Sequence, residues 1–303
     1  MTLAITGGTG FVGQALLDLL EVQGVSARAL ARKIPEQARK GVEWVQGDLA
    51  DHAALSQLVE GADAVIHIAG LVNTPDPAEF ETVNVTGTAN VIAAAKAAGV
   101  RRLIFVSSLA AREPKLSAYG ASKAKAEELV QGSGLDWTIV RPPGVYGPRD
   151  TEYFDLFRSA RWGFVPIPPQ GASSIIHVDD LARLLLALQP TVPSINRHIF
   201  EPDDEREGGW SHKELAEAIG KAVGRKIFAP HLSKRVLMAA ASLDGLFRGK
   251  RAKLTADRVG YMTHPNWVSR FDRMVPAEIW QPRIQGKEGL AATAKWYRDK
   301  GWL

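Results

Sequence analysis

Leu3-Ala4-Ile5-Thr6-Gly7-Gly8-Thr9-Gly10-Phe11-Val12-Gly13 stands near the start of the chain. It joins a short apolar run to a glycine-rich turn and then to an apolar stretch that continues to about Gln23. Residues 2–6 read as a strand and Phe11 onward as a helix, so the glycines occupy a strand-to-helix turn. A turn of this kind presents bare backbone N–H groups at a helix N-terminus, where the helix dipole favours an anion and no side chain obstructs a diphosphate. Gly7, Gly10 and Gly13 follow GxxGxxG rather than GxGxxG, one residue longer, and their position after a strand and before a helix points to a nucleotide site.

Outward from this turn the pattern alternates. Strands are expected at Val25–Leu30, Val42–Val45, Ala62–Ile68, Arg102–Ser107 and Trp137–Arg141, with helices at about Glu79–Ala98, closed by Gly99, and Tyr119–Gly132. The near-continuous apolar runs at 62–68 and 102–107 are what strands buried on both faces require. Repeated βα alternation predicts an α/β, doubly wound parallel-sheet Rossmann fold. After it, Pro142-Pro143-Gly144-Val145-Tyr146-Gly147-Pro148 reads as a shaped loop excluded from regular pairing. Pro166-Ile167-Pro168-Pro169 reads as the crossing into a smaller, mostly helical C-terminal substrate domain, and Ile195–Phe200 as a strand returning to the main sheet. The expected division is residues 1–165 with a return of about 175–202, against 166–174 with 203–303. Ser211, with Glu214 three residues on, marks a helix start.

Cofactor choice falls at the end of the second strand, about 20 residues past the glycines, where an acidic residue would bind the ribose diol of NAD. Arg32 and Lys33 stand there instead. Two cations suit the 2′-phosphate of NADP, so NADP is preferred, with NAD as the alternative if Arg32 is simply solvated. Asp48, followed by Leu49 after the third strand, is placed to accept from the adenine amine; a turn or helix cap is its other reading.

Tyr119 and Lys123 lie four residues apart, hence on one helix face. A phenol near its reference pKa of about 10 is a poor acid–base group at neutral pH, and a neighbouring cation favours its ionised form. Ser108 follows a strand, at the end where ligands bind in open α/β sheets, and its hydroxyl can hold a substrate oxygen. Proton transfer through Tyr119 then accompanies hydride exchange with nicotinamide.

Taken together, Thr6 to Gly13, Val106-Ser107-Ser108, Tyr119 to Lys123, Arg141 to Pro148 and Ile176-His177-Val178-Asp179-Asp180 resemble, in order, the motifs of the extended short-chain dehydrogenase/reductase superfamily, in its NAD-dependent epimerase/dehydratase-like branch. The ending, Thr293 to Tyr297 and Gly301-Trp302-Leu303, is similar to that branch as well. The resemblance implies that Thr9, Gly10, Phe11, Val12 and Gly13 belong to the cofactor loop, that Ala69 and Gly70 line the cofactor, that Asn84 supports the proton path, and that Pro142 and Val145 pass beside the nicotinamide. A helix cap or buried polar residue is the competing reading of Asn84. Either Ser107 or Ser108 matches the catalytic serine, and Ser108 is preferred. Only ten residues separate Ser108 from Tyr119, fewer than in sugar-nucleotide epimerases of the branch, which weakens transfer of that specificity.

Composition narrows the rest. The 303 residues include no cysteine, which removes disulfides, thiolate metal sites and a cysteine nucleophile and fits a reducing cytoplasm. A formal net charge of +4 is too mild to argue for nucleic acid. His177 before Asp179-Asp180 reads as a helix start and no metal is expected. Trp162, Phe164 and Trp210 read as core packing. Val236–Phe247 is too short to span a bilayer, though Lys234, Arg235, Arg248, Lys250, Arg251 and Lys253 around it leave a weak membrane-surface contact open. The expectation is a cytoplasmic enzyme, monomer or homodimer, exchanging hydride between NAD(P) and a carbonyl or secondary alcohol of a small molecule. Its rivals are an epimerase or dehydratase that retains NAD, and a catalytically silent NAD(P)-binding sensor or assembly protein.

Overall fold

A computed structural model describes residues 1–249 and 252–303. Lys250 and Arg251, two of the cations noted above, lie outside the described residues. The chain divides into two compact units: Met1–Arg141 with Leu181–Phe200 and Val275–Gln281, and Pro142–Asp180 with Glu201–Met274 and Pro282–Leu303.

In chain order the first unit holds β1 (Thr2–Thr6), α1 (Phe11–Gln23), β2 (Ser26–Ala31), β3 (Val42–Gln46), α2 (His52–Val59) and β4 (Ala64–His67). One helical stretch follows, made of α3 (Ala78–Phe80), a π-helical segment Glu81–Thr86 and α4 (Gly87–Ala97). Then come β5 (Arg102–Val106), a 3₁₀ turn at Leu109–Arg112, α5 (Ala118–Gln131) and β6 (Asp136–Val140). The seven-stranded sheet is completed by β10 (His198–Phe200), numbered after the second unit's strands, and has the order β10-β6-β5-β4-β1-β2-β3. Every neighbouring pair runs parallel, the doubly wound arrangement expected from the alternating pattern. Strand order reverses between β1 and β4, and ligands of such sheets bind at the crevice where it does so.

Burial explains the choice of residues. All four residues of β4 and all five of β5 are buried, so neither strand alternates with polar side chains. Leu55, Leu58, Val91, Ala95, Leu103, Phe105, Val130 and Ile139 pack into one core between sheet and helices. Arg102 is admitted there because its guanidinium donates to the carbonyls of Asp136 and Leu188 and to Thr138 Oγ1, leaving little of its charge without a partner.

The second unit contains β7 (Gly144–Tyr146), α6 (Glu152–Ala160), β8 (Ala172–Ser173), β9 (Ile175–His177) and the start of α7 (Val178–Ala187). It continues with β11 (Trp210–Ser211), α8 (His212–Ala222), α9 (Lys234–Arg248), α10 (Ala256–Met262), β12 (Asn266–Trp267) and α11 (Gly286–Asp299). Its core joins Tyr146, Phe157, Trp210, Ile219, Leu290 and Tyr297. Ser211 and Glu214 form a reciprocal capping box at α8.

Three expectations are corrected. The 142–148 segment is not excluded from pairing: Gly144, Val145 and Tyr146 pair with Ile175–His177, because Pro142 and Pro143 precede the strand and Gly147 and Pro148 follow it, so the paired residues keep their N–H groups. The chain enters the second unit after Arg141, not near the 166–169 prolines. Trp162 and Phe164 are exposed rather than packed in the core, which takes Trp210 alone of the three. Among the described residues no helix is long and apolar enough to cross a membrane.

Candidate active site

At the β1–α1 turn, Gly7 has φ +78°, a left-handed conformation that suits glycine. A Cβ there would stand 2.7 Å from Ala69 N, so the turn lies directly against the chain leaving β4. A Cβ at Gly13 would fall 2.1 Å from Gly7 O. Close approach, not flexibility, requires that glycine. At Gly10, the N-cap of α1, a Cβ would meet only Gly7 O, at 3.3 Å, and no side chain caps the helix. Thr9 and Gly10 are exposed, Phe11 and Val12 half-buried, and the first turn of α1 carries no acid. Bare N–H groups at the end of a 13-residue helix fit a dinucleotide diphosphate.

Arg32 and Lys33 follow β2 directly, both exposed, and neither takes part in an ion pair among the described residues. Asp48 is exposed and accepts from Ala50 N at 2.8 Å through Oδ1, the turn-capping role that was its second reading. Its carboxylate has further acceptor capacity. Leu49 is half-buried against Gly87, and its carbonyl accepts from Asn90 Nδ2 at 2.8 Å.

Beyond β4, Ala69 is half-buried and Gly70 exposed. Asn84, within the π-helical segment, holds this stretch from behind. Its Oδ1 accepts from Leu71 N at 2.7 Å, while Nδ2 donates to Leu71 O and to Ser122 Oγ, both at 2.9 Å. Ser122 in turn donates to Tyr119 O at 2.8 Å. Asn84 is thereby a buried connector between the β4 loop and α5, and the π-helical widening is where it sits.

Tyr119 and Lys123 occupy successive turns of α5, 8% and 4% exposed. The Tyr119 ring leans on Phe80 at 5.8 Å. Lys123 Nζ donates to Val106 O at 2.8 Å and lies 4.4 Å from the Phe105 ring centre. Burial lowers its pKa to about 8, with the Glu127 carboxylate acting the other way. Nζ also lies 3.7 Å from where a Gly70 Cβ would stand, which ties the Tyr-Lys helix to the β4 loop.

The two serines separate. Ser107 donates to Glu127 Oε1 at 2.5 Å, and Glu127 also receives Arg141 Nε at 2.9 Å and Nη2 at 2.6 Å. Ser108 Oγ accepts from Ala110 N at 3.2 Å, which uses one of a hydroxyl's three hydrogen-bonding positions. Gly120 brings the two segments together: a Cβ there would meet Ala110 O at 2.7 Å, so α5 begins in backbone contact with the turn that follows Ser108. Pro142 and Val145 belong to the second unit, where Pro142 is buried and Val145 pairs with Ile176 in β7. In that unit too, His177 caps a helix start, its Nδ1 accepting from Asp179 N at 3.2 Å.

Sequence reading missed a polar layer beneath these residues. His67 Nδ1 shares a 2.6 Å hydrogen bond with Thr6 Oγ1, and Nε2 one of 3.0 Å with Thr88 Oγ1. Thr6 Oγ1 already accepts from Ala69 N and Thr88 Oγ1 donates to Asn84 O, so the donors balance when His67 is neutral with its proton on Nε2. Burial, then the Lys123 charge, lowers its pKa to about 3. Glu127 carried a sequence signal, four residues beyond Lys123 on the same face; His67, inside an apolar run, carried none.

A family model described as NAD(P)H-binding matches residues 7–188. The ceramide reductase of Caulobacter vibrioides is 35% identical over 99% of this chain and 95% of its own length. The 2-alkyl-3-oxoalkanoate reductase of Stenotrophomonas maltophilia is 30% identical over 96% of this chain and 97% of its own. Among solved structures, that of gox2253 superposes with a TM-score of 0.79 at 26% identity, covering 100% of this chain and 99% of the other. The chain therefore belongs to the NAD(P)H-binding family and is an NAD(P)-dependent oxidoreductase.

Proposed function

We propose that the enzyme uses NADPH to reduce a ketone on a molecule with an apolar chain, with Tyr119 as the proton donor. The observation that carries the reading is the buried Lys123, anchored on Val106 O one helical turn from Tyr119 and beside the β4 loop at the strand-order reversal. When bound, the nicotinamide supplies hydride. Ser108 holds the carbonyl oxygen, and the Tyr119 hydroxyl gives it a proton while the Lys123 ammonium stabilises the charge left on the phenol oxygen. Asn84 and Ser122 are positioning residues that set α5 against the β4 loop. Gly7 to Gly13 take the diphosphate, Asp48 accepts from the adenine amine beside Leu49, and Arg32 with Lys33 receive the 2′-phosphate.

The substrate class is carried over from the relatives. One acts on a 2-alkyl-3-oxoalkanoate, a ketone, and the other on ceramide, a lipid. A cytoplasmic location goes with this reading.

Steady NADPH oxidation with a 3-oxoacyl substrate tests it. Tyr119→Phe is expected to lower kcat by roughly 10²- to 10⁴-fold while NADPH binding by calorimetry stays unchanged. Full activity in that variant would remove Tyr119 from the chemistry, and turnover without net NADPH consumption would make the enzyme an epimerase. Arg32→Ala is expected to weaken NADP binding by about tenfold and leave NAD binding alone, on the order of one charge-assisted contact. Tighter NAD than NADP binding in the unaltered enzyme would overturn the cofactor choice.

A further inference from the structure

Helix α9 has two apolar faces, and the fold uses one. Leu237 and Ala241 pack on Val259, with Leu232, Leu254 and Met262 around them. Val236, Leu243, Leu246 and Phe247 repeat at helical spacing on another side and face solvent, Leu246 being 78% and Phe247 82% exposed. A surface helix ordinarily turns such a stripe toward a core, so this one is built for an apolar medium outside the unit. Elsewhere in the same unit Phe164 and Phe228 lie ring to ring, 6.2 Å apart, and both are exposed, as is Trp162, two residues before Phe164 in the chain, at 84%. The first unit, among the described residues, exposes no large aromatic side chain to this degree.

Charge identifies the medium. Residues 221–253 contain nine lysines and arginines and one acid, Asp244, whereas the whole chain carries +4, so the remainder is net acidic. Lys234 and Arg235 open α9 and Arg248 closes it, all exposed. An apolar stripe bracketed by cations, on a helix of 15 residues that is too short to span a bilayer, matches an interfacial helix lying among anionic headgroups. Two copies of the chain pairing through this stripe about a two-fold axis would bring one-signed flanks together, which Coulomb repulsion opposes. We infer that α9 docks the enzyme on an anionic lipid bilayer, with Leu243, Leu246 and Phe247 entering the acyl boundary and Lys234, Arg235 and Arg248 contacting headgroup phosphates.

This goes beyond the reduction and does not depend on it, since docking is read without turnover. The full chain is sedimented with phosphatidylcholine vesicles and with vesicles containing added phosphatidylglycerol, at low and high salt. Binding is expected only with phosphatidylglycerol. Leu246→Glu/Phe247→Glu should reduce it at least about tenfold, and Lys234→Glu/Arg235→Glu by a similar factor at low salt. Because these side chains are exposed, thermal melting should not move. Absence of binding to the anionic vesicles, or binding that survives Leu246→Glu/Phe247→Glu, would overturn the inference. So would a concentration-dependent dimer, abolished by that variant, in a chain that ignores vesicles, because a second copy would then cover the stripe.

Discussion

Among the described residues, the buried groups displaced furthest from their ordinary values are mostly bases in one unit and mostly acids in the other. In the first, the buried groups that depart from their ordinary values are bases: His67 falls to about 3, Lys123 to about 8 and Arg102 to about 10. In the second they are mainly acids: Asp150 rises to about 7, Asp203 and Asp204 rise, and the phenols of Tyr146, Tyr153 and Tyr297 are pushed up. Burial is the leading cause throughout, penalising whichever form is charged. What differs is the setting. His67 and Lys123 lie close together, Lys123 bonded to Val106 O and acted on by the Glu127 carboxylate, while Arg102 begins β5 and is bonded to the Asp136 and Leu188 carbonyls and to Thr138. In the second unit the raised acids are bonded locally, Asp150 to Glu152 N and Tyr153 N, Asp203 to Ser174 and Asp204 to the Trp210 indole. The contrast teaches that the same physical term gives the two units opposite responses to pH.

Breaking the charge network should have the largest effect. Glu127→Ala leaves the Arg141 guanidinium and the Ser107 hydroxyl without their buried acceptor, and loss of one partner of a buried pair costs about 3–5 kcal/mol. Denaturant unfolding of the variant should show that loss; a variant as stable as the unaltered chain would mean the pair does not hold the end of β6 against α5.

The acid limb comes next. His67 binds its proton near pH 3 when folded and near 6.5 when unfolded, so the unfolded state holds more protons between these values. Its stabilising share is complete above pH 6.5 and declines as pH falls toward 3, by a few kcal/mol at about 1.4 kcal/mol per pH unit. His67→Gln should flatten that decline in the denaturation midpoint, and an unchanged slope would assign the acid limb elsewhere.

Asp150 runs in the opposite sense. Its folded value near 7 exceeds the ordinary 3.8, so the folded state holds the extra proton and stability decreases as pH rises from about 4 to 7. Asp150→Asn keeps an acceptor for the α6 N-terminus and removes the charge. It should gain a few kcal/mol at pH 8 relative to pH 4, at about 1.4 kcal/mol per pH unit between about 4 and 7, the rise to about 7 being what is left of the desolvation after two backbone N–H groups offset part of it. An identical pH profile in this variant would erase the contrast between the units.

Alternation of strand and helix periods, apolar runs without polar interruption and a glycine turn after the first strand were enough, by themselves, to determine a doubly wound parallel sheet with a dinucleotide-type turn. These signals are local: each follows from backbone sterics and from which faces of an element meet water. The capping box of α8 was legible for the same reason, both partners lying within four residues. Tertiary structure alone decided what depends on distant partners. Ser107 was separated from Ser108 by Glu127 and Arg141, 20 and 34 residues away, and Asn84 acquired its connector role from Leu71 and Ser122. The neutral state of His67 rests on Thr6 and Thr88, and the exposure of Phe164 and Phe247 on which faces the second unit covers. Hydrogen-bond donors and acceptors are balanced in space, and burial belongs to the folded surface, so neither can be read along the chain.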